Sequence, residues 1–178
     1  MRARRRALLG PAHGRLLDLG GADTHGTLWE RSPQVRGATV LDGADDPQLA
    51  ALATAGERFD TVVSVFQLAT ASDLDATLHA VRAVLAEDGR LLFVEPGSQV
   101  GLTGRLQRLV ASPLGGMTGW RADRDIPMAL RAGGLSVIDI RRHRVLTVQL
   151  WLRQVLDGVA HHALAPGGGT DPAPEVAS

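Results

Sequence analysis

The sequence contains no cysteine and no lysine, and only 3% of its 178 residues are aromatic, none of them tyrosine. The absence of cysteine excludes disulfides, thiol catalysis and zinc–thiolate sites. The 19 basic and 19 acidic residues cancel to a formal net charge of zero, so no overall field favours nucleic acid, and we predict no such partner. No metal site is predicted either, because the neighbours His161 and His162 would point to opposite faces of a strand.

The sequence also lacks long apolar runs. None approaches the roughly 20 residues that a helix needs to cross a bilayer, which predicts no integral membrane segment. The basic start, MRARRRALL, has too short an apolar stretch for a secretory signal, so we expect a cytoplasmic protein. Every basic side chain is arginine, and together with abundant alanine, glycine and leucine this indicates the codon usage of a GC-rich, bacterial genome.

What is present is enough apolar mass, 44% of the residues, for one hydrophobic core. We predict a basic N-terminal arm over residues 1–13, a single domain over 14–164 and a disordered, Pro- and Gly-rich tail over 165–178. Within the domain, residues 97–122 are Gly-rich and the least regular stretch, so they are predicted to be a variable segment.

Residues 59–96 carry the strongest structural signal. The runs FDTVVSVF (59–66) and GRLLFVEP (89–96) are apolar on both faces, which is typical of parallel strands buried between helices. Between them, Ser72 and Asp75 have the spacing of a capping box, and Gly89 stands where a helix-terminating glycine is expected. The apolar stripe of this predicted helix consists of Leu74, Leu78, Val81 and Leu85. Ligands of such a βαβ unit lie beyond the carboxyl ends of the strands.

The rest of the chain alternates in the same way. Further strands are predicted over 14–19, 38–41, 135–140 and 158–164. Asp46 and Pro47 open a predicted helix over 47–55, because Asp caps a helix well and Pro suits its first position. Other helices are predicted from 23 or 24 to 30, from Asp123 or Asp125 to 132, and over 149–156. This alternation predicts the α/β class.

Three stretches resemble class I S-adenosylmethionine (SAM) dependent methyltransferases. LLDLGG (16–21) is similar to their first motif, FDTVVS (59–64) to their fourth-strand motif, and LAEDGRLLFVE (85–95) to the stretch that precedes and forms their fifth strand. Residues 123–139 resemble the small-molecule branch called type 11 or UbiE-like. The resemblance implies a Rossmann-like, doubly wound, mostly parallel sheet with helices on both faces. It also implies SAM as the cofactor and a small-molecule acceptor.

The resemblance also implies a cofactor site. The side chain of Asp18 would hold the ammonium group of SAM through the following turn, and the backbone N–H groups of that turn would face its carboxylate. Asp42 would bind the ribose hydroxyls, and the end of the next strand would line the methyl-transfer cleft. The implied cofactor-binding residues are Asp18, Gly20, Gly21, Ala22, Asp42, Ser64 and Phe66. No catalytic residue is indicated. The segment 97–122 would form a lid whose apolar face covers a hydrophobic acceptor, contacts a membrane surface or a partner, or merely packs on the sheet.

Two departures from the family pattern affect this site. Ala22 and Thr24 stand where the family has its later turn glycines. Asp60 follows Gly20 by only 40 positions, too few for the family's two strands and two helices, so we expect the fold to be one strand–helix unit short. Either Asp42 ends the second strand and the third is missing, or Asp42 to Asp45 end the third and the second is missing. The spacing from Asp18 to Asp42 favours the first alternative.

Several functions therefore remain open. The leading hypothesis is methyl transfer from SAM to a small, hydrophobic acceptor. The alternative is a catalytically inactive methyltransferase-like fold that binds a partner, with a homo-oligomer formed through the sheet edge that a missing strand exposes. A nicotinamide or nucleotide enzyme ranks below both, because no phosphate-binding glycine loop or P-loop lysine is present. At single residues, Asp18 and Asp42 could instead satisfy turns, Phe66 could belong to the core, and Glu95 is either a solvated strand end or a substrate contact.

Overall fold

The computed structural model describes residues 12–20, 32–96, 124–144 and 154–163. These residues form strands β1 (Gly14–Asp18), β2 (Val35–Val40), β3 (Phe59–Val65), β4 (Leu85–Pro96), β5 (Leu135–Arg144) and β6 (Gln154–His162), and helices α1 (Pro47–Thr54), α2 (Leu74–Val84) and α3 (Ile126–Ala132). The predictions of a helix near residues 23–30, of the lid over 97–122, of the tail over 165–178 and of most of the arm fall outside the described residues. None of the described helices has the length and apolarity needed to cross a bilayer.

The described strands form one sheet in the order β2-β1-β3-β4-β6-β5. Strands β1 to β4 pair in parallel, whereas β6 is antiparallel to both β4 and β5. Because hydrogen bonds link β1 directly to β3, a crossover brings β3 back to the middle of the sheet. The predicted α/β architecture with a mostly parallel sheet is therefore confirmed.

Strand β2 decides between the two alternatives for the missing unit. It pairs in parallel with β1, so that Asp18 lies opposite Val40 at the carboxyl ends of the two strands. It also lies at the edge of the described sheet. Residues 41–58 are all described, and they contain α1 but no strand. The structure thus agrees with the alternative in which Asp42 follows the second strand and no third strand precedes β3.

The cap of α1 forms as predicted, but the bounds of α2 differ from the prediction. Helix α2 begins after Asp73, whose side chain accepts from the N–H of Ala76, so Asp73 rather than Ser72 is the N-cap. Ser72 is occupied differently, since its N–H donates to the carboxylate of Asp45. The helix ends at Val84 and not near Gly89, because Leu85 already pairs with β3.

Two further outcomes concern the C-terminal elements. Of the two candidate caps for α3, the structure selects Asp125, whose carboxylate accepts from the N–H of Met128. The helix predicted over 149–156 is wrong for residues 154–156, which belong to β6. There the chain pairs with β4, as Leu156 lies opposite Glu95, so tertiary pairing overrides the local helical pattern.

The sheet is apolar on both faces, as the continuous hydrophobic runs predict. One face carries all three described helices over a cluster that includes Leu17, Phe59, Leu91 and Phe93. The opposite face carries a second cluster of Ala12, Leu16, Val63, Val65, Leu92, Val94 and Val155. The helix predicted near residues 23–30 and the segment 97–122 lie outside the described part of the chain, so the structure does not test the expectation of helices on this second face.

Candidate functional site

The carboxyl ends of β1 and β2 lie side by side. The carbonyl oxygen of Asp18, the last residue of β1, accepts at 2.8 Å from the N–H of Leu41, the first residue after β2. Asp18 itself is buried, and its Oδ1 accepts from the N–H of Gly20 at 2.9 Å. This carboxylate therefore shapes the bend that leaves β1. The structure brings Asp18, Gly20 and Asp42 to one rim, whereas Gly21 and Ala22 are outside the described residues.

The turn after β2 leaves the side chain of Asp42 at the surface. The N–H of Asp42 donates to Asp46 Oδ2 at 2.9 Å, and Asp46 Oδ1 accepts from the N–H of Gln48 at 2.8 Å. These two bonds, with that from Asp42 the stronger influence, lower the pKa of Asp46. Asp46 thus both caps α1 and folds the turn, so the exposed carboxylate of Asp42 is not needed for either task.

Ser64 and Phe66 end the central strand β3 in different ways. Ser64 is completely buried, and its hydroxyl donates to Glu95 Oε1 at 2.7 Å. Ser64 therefore helps to orient the carboxylate of Glu95 and is not itself exposed at the carboxyl ends of the strands. Phe66 has φ = +61°, the only positive value among the described non-glycine residues, and its ring packs partly buried against the second cluster. Such a backbone is costly for a bulky residue, and strain of this kind concentrates at functional sites.

Glu95, near the carboxyl end of β4, has a role that sequence analysis did not predict. It is neither solvated nor placed to contact a substrate, because its side chain is fully buried. Its carboxylate accepts from Ser64 and from the N–H groups of Leu68 and Ala69, at 2.7 to 3.1 Å. Burial raises the pKa of Glu95 to about 7, although these hydrogen bonds act in the opposite direction. Glu95 therefore anchors the loop that follows β3.

Two other charged side chains hold the same loop, residues 66–72. Arg124 Nη1 donates to the carbonyl oxygens of Leu68 and Ala71, at 3.1 and 2.6 Å. Asp45 accepts from the N–H of Ser72 with both carboxylate oxygens, at 2.9 and 3.0 Å. Three segments that are distant in sequence thus fix one loop at the carboxyl edge, which makes it a pre-organised surface beside the ends of β1 and β2.

A His–Asp pair lies at the other half of the same edge. His143 Nε2 contacts Asp157 Oδ1, and both side chains are partly buried. Asp157 lies opposite Val94, and His143 lies opposite Val155, so both are on the face of the second cluster. Sequence analysis did not single out this pair, because only the antiparallel register of β5 and β6 brings it together.

No family model matches the sequence, and no curated protein is similar to it. Solved structures do match. The N-methyltransferase NodS from Bradyrhizobium japonicum has a TM-score of 0.59 at 12% identity, over 91% of this chain and 96% of NodS. YcgJ from Bacillus subtilis has a TM-score of 0.61 at 11% identity, over 92% and 98% of the two chains.

A third match is an N1-methyltransferase from Burkholderia thailandensis, solved with bound 1,6-didemethyltoxoflavin and S-adenosylhomocysteine. It has a TM-score of 0.58 at 16% identity, over 92% of this chain and 76% of that enzyme. Identities this low establish architecture and not activity. The chain therefore shares the Rossmann-like fold of these three proteins.

Proposed function

We propose that the protein is a SAM-dependent methyltransferase that acts on a small molecule. The observation that carries the proposal is the rim formed by Asp18, Gly20 and Asp42 beyond two adjacent parallel strands. Ligands of open α/β sheets bind at this edge, outside the carboxyl ends of the strands. Structural neighbours with the same fold include methyltransferases, two of them solved with bound S-adenosylhomocysteine, which supports SAM as the cofactor.

The residues of the rim suit the parts of SAM. Asp18 holds the bend after β1 by accepting from the N–H of Gly20, and the backbone N–H groups of Gly21 and Ala22 would face the amino-acid carboxylate of the cofactor. The exposed carboxylate of Asp42 is a suitable acceptor for the two ribose hydroxyls. When bound, SAM supplies a methyl group activated by a sulfonium cation. The ring of Phe66 can attract that cation, while Ser64 acts indirectly through Glu95.

The order of the strands separates the cofactor from the acceptor. The proposed cofactor residues lie at the carboxyl ends of β2, β1 and β3, so we infer that the acceptor approaches from the side of β4, β6 and β5. In that half, the described residue best suited to accept a proton is His143. When Nε2 donates to Asp157, Nδ1 keeps a lone pair. Three strand spacings, about 14 Å, separate β3 from the backbone of His143 on β5, and the imidazole ring lies nearer than this because it contacts Asp157 on β6. We infer that the acceptor carries an acidic O–H or N–H, whose proton passes to His143.

Finer points of the proposal rest on the sequence. They are the type 11 or UbiE-like branch, a cytoplasmic location in a bacterium, and a lid over residues 97–122 that covers a hydrophobic acceptor. Removal of residues 101–118 should abolish turnover of the acceptor and leave the affinity for SAM unchanged. Unaltered turnover of the shortened protein would refute the lid.

Calorimetric titration with SAM and S-adenosylhomocysteine tests the main proposal. We expect dissociation constants in the micromolar range, roughly −8 kcal/mol. Asp42→Ala should weaken binding about tenfold or more, because hydrogen bonds to a charged group contribute about 1.5–3 kcal/mol. Asp88→Ala is the matched control, since Asp88 is an exposed carboxylate near the amino end of β4, far from the carboxyl ends where Asp42 lies. The absence of both heat and a thermal shift at millimolar ligand would exclude the cofactor.

A second candidate function is a partner-binding module without catalysis, and β2, which lies at one edge of the described sheet, favours it. Three consecutive residues of this strand, Arg36, Gly37 and Ala38, are exposed, and only one of them is charged. The other edge, β5, carries exposed Arg141 and Arg142, and charged residues protect edges from pairing. We therefore propose that homo-oligomers, if they form, pair through β2.

Analytical ultracentrifugation tests this edge. If copies pair through β2, wild-type protein should sediment as a dimer at high concentration, and Ala38→Lys should sediment as a monomer. Ala50→Lys, at an exposed position of α1, is the control and should behave as wild type. A wild-type monomer at high concentration, or a dimer that survives Ala38→Lys, would rule out pairing through this strand.

A further inference from the structure

A cavity of about 450 Å³ opens at the edge of the sheet opposite to the proposed cofactor site. Its polar lining consists of Arg58, His79, Arg82, Glu87 and His162, and Ala83 and Leu85 complete the wall. Arg58 directly precedes β3, Leu85 begins β4, and His162 ends the antiparallel strand β6, so the cavity lies at the amino ends of the parallel strands. The seven residues of β3, at about 3.3 Å each, separate it from Phe66 by roughly 20 Å.

The charges that face this cavity do not balance. Two arginines, Arg58 and Arg82, and two histidines stand against one carboxylate, that of Glu87. The neighbouring acid Glu57 does not compensate Arg58, because it forms a salt bridge of 2.7 Å with Arg15. Positive charge therefore exceeds negative charge in the lining even when both histidines are neutral, and this favours an anionic ligand.

Several of these side chains are held in place. A Cβ atom at Gly134 would lie 3.2 Å from the Cζ, Nε and Nη1 atoms of Arg82, so the guanidinium lies against the turn between α3 and β5. His162 Nε2 lies 3.1 Å from the carbonyl oxygen of Leu85, which fixes the orientation of the imidazole ring when that nitrogen donates. His79 precedes Arg82 by three residues on α2, so the two share one face of the helix.

We propose that this cavity is a binding site for a small phosphate-bearing molecule, with Arg58 and Arg82 as its charged ligands. A guanidinium group presents paired N–H donors that match two phosphate oxygens. The volume is within the range of small-molecule sites, about 300–1,000 Å³. The distance to the carboxyl edge separates this site from both SAM and the methyl acceptor, so the inference does not depend on the proposed function.

Calorimetry on the full chain at constant ionic strength tests the site with three probes: inorganic phosphate, glycerol phosphate and succinate. Constant ionic strength matters because exposed charges are screened by salt. We expect either phosphate probe to bind at millimolar concentration or below, and succinate to bind at least fivefold more weakly. Binding of glycerol phosphate alone supports an ester as the ligand, and binding of both supports phosphate recognition in general.

Variants locate the binding. The double variant Arg58→Gln and Arg82→Gln should weaken phosphate binding tenfold or more, whereas Arg36→Gln, an exposed arginine on β2, should leave it unchanged. Thermal unfolding of each variant shows whether it is folded. The proposal is overturned if neither phosphate probe binds at 10 mM, if succinate binds as tightly as phosphate, or if the folded double variant binds like wild type.

Discussion

Replacement of Glu95 by glutamine tests whether the buried carboxyl group makes stability depend on pH. Burial raises the pKa of Glu95 to about 7, against 4.5 for an unperturbed glutamate. Between these values the folded protein holds a proton that the unfolded chain has lost. The stabilisation is thus complete below pH 4.5 and is lost as the pH rises through 7. A difference of roughly 2.5 pKa units corresponds to a change of about 3 kcal/mol in the free energy of unfolding.

Glutamine has nearly the same shape but does not titrate. Its oxygen can accept from the N–H of Leu68 or Ala69, and its amide can donate to Ser64, so about one hydrogen bond is lost. We expect Glu95→Gln to be less stable than wild type by about 1–2 kcal/mol near pH 5. This deficit should shrink or reverse near pH 8, because wild type alone loses about 2–3 kcal/mol between the two pH values.

Urea unfolding at several pH values between about 5 and 8 measures the free energy of unfolding of both proteins. The test compares the difference between these two free energies at each pH. A second variant, Ser64→Ala, removes a hydrogen bond that lowers the pKa of Glu95. Without this bond the pKa of Glu95 should be higher. The decrease in stability with rising pH should therefore continue to a higher pH in Ser64→Ala than in wild type. The reasoning is refuted if the difference between wild type and Glu95→Gln stays constant within about 0.5 kcal/mol over the whole range.

Three further predictions concern other parts of the molecule. His143→Asn should lower turnover of any phenol or amine found to be an acceptor by about 100-fold or more and leave SAM affinity intact; equal turnover would exclude the base. Gly158→Ala should cost about 1–3 kcal/mol in urea unfolding, because its Cβ would lie 2.4 Å from the Asp139 carbonyl oxygen. Gly37→Ala, with nothing within 4 Å, is its control. Arg124→Gln should accelerate amide hydrogen exchange at Ala69, and unchanged exchange would show that the arginine does not hold the loop.

Much of the fold could be predicted because its signals are local or periodic. The apolar runs around Val62 and Leu92 predict strands buried on both faces, and both are central in the sheet. Asp46 followed by Pro47 marks the start of a helix by chemistry that acts within one turn. The end of α2 was predicted less well, because a glycine signal at Gly89 competes with the pairing of Leu85 and Phe59, which is set by tertiary structure.

The candidate site divides in the same way. Asp18, Gly20 and Asp42 could be proposed from sequence, because the resemblance to the methyltransferase motifs implies them, and parallel strands end at a common edge. The burial of Glu95, and its bonds to residues that lie 26 to 31 positions earlier, could not be proposed, because the same residue before a proline also suits a solvated strand end.

The sequence by itself thus determined the α/β class, the buried parallel strands and the rim on which a cofactor is expected, because strand ends and helix caps depend on neighbouring residues. Only the tertiary structure decided which strand unit is absent, which charges hold the loop after β3, and which histidine meets a carboxylate. Those contacts join residues as distant as Arg124 and Leu68, 56 positions apart, and their energies depend on burial and register. Neither burial nor register exists until the whole chain has packed.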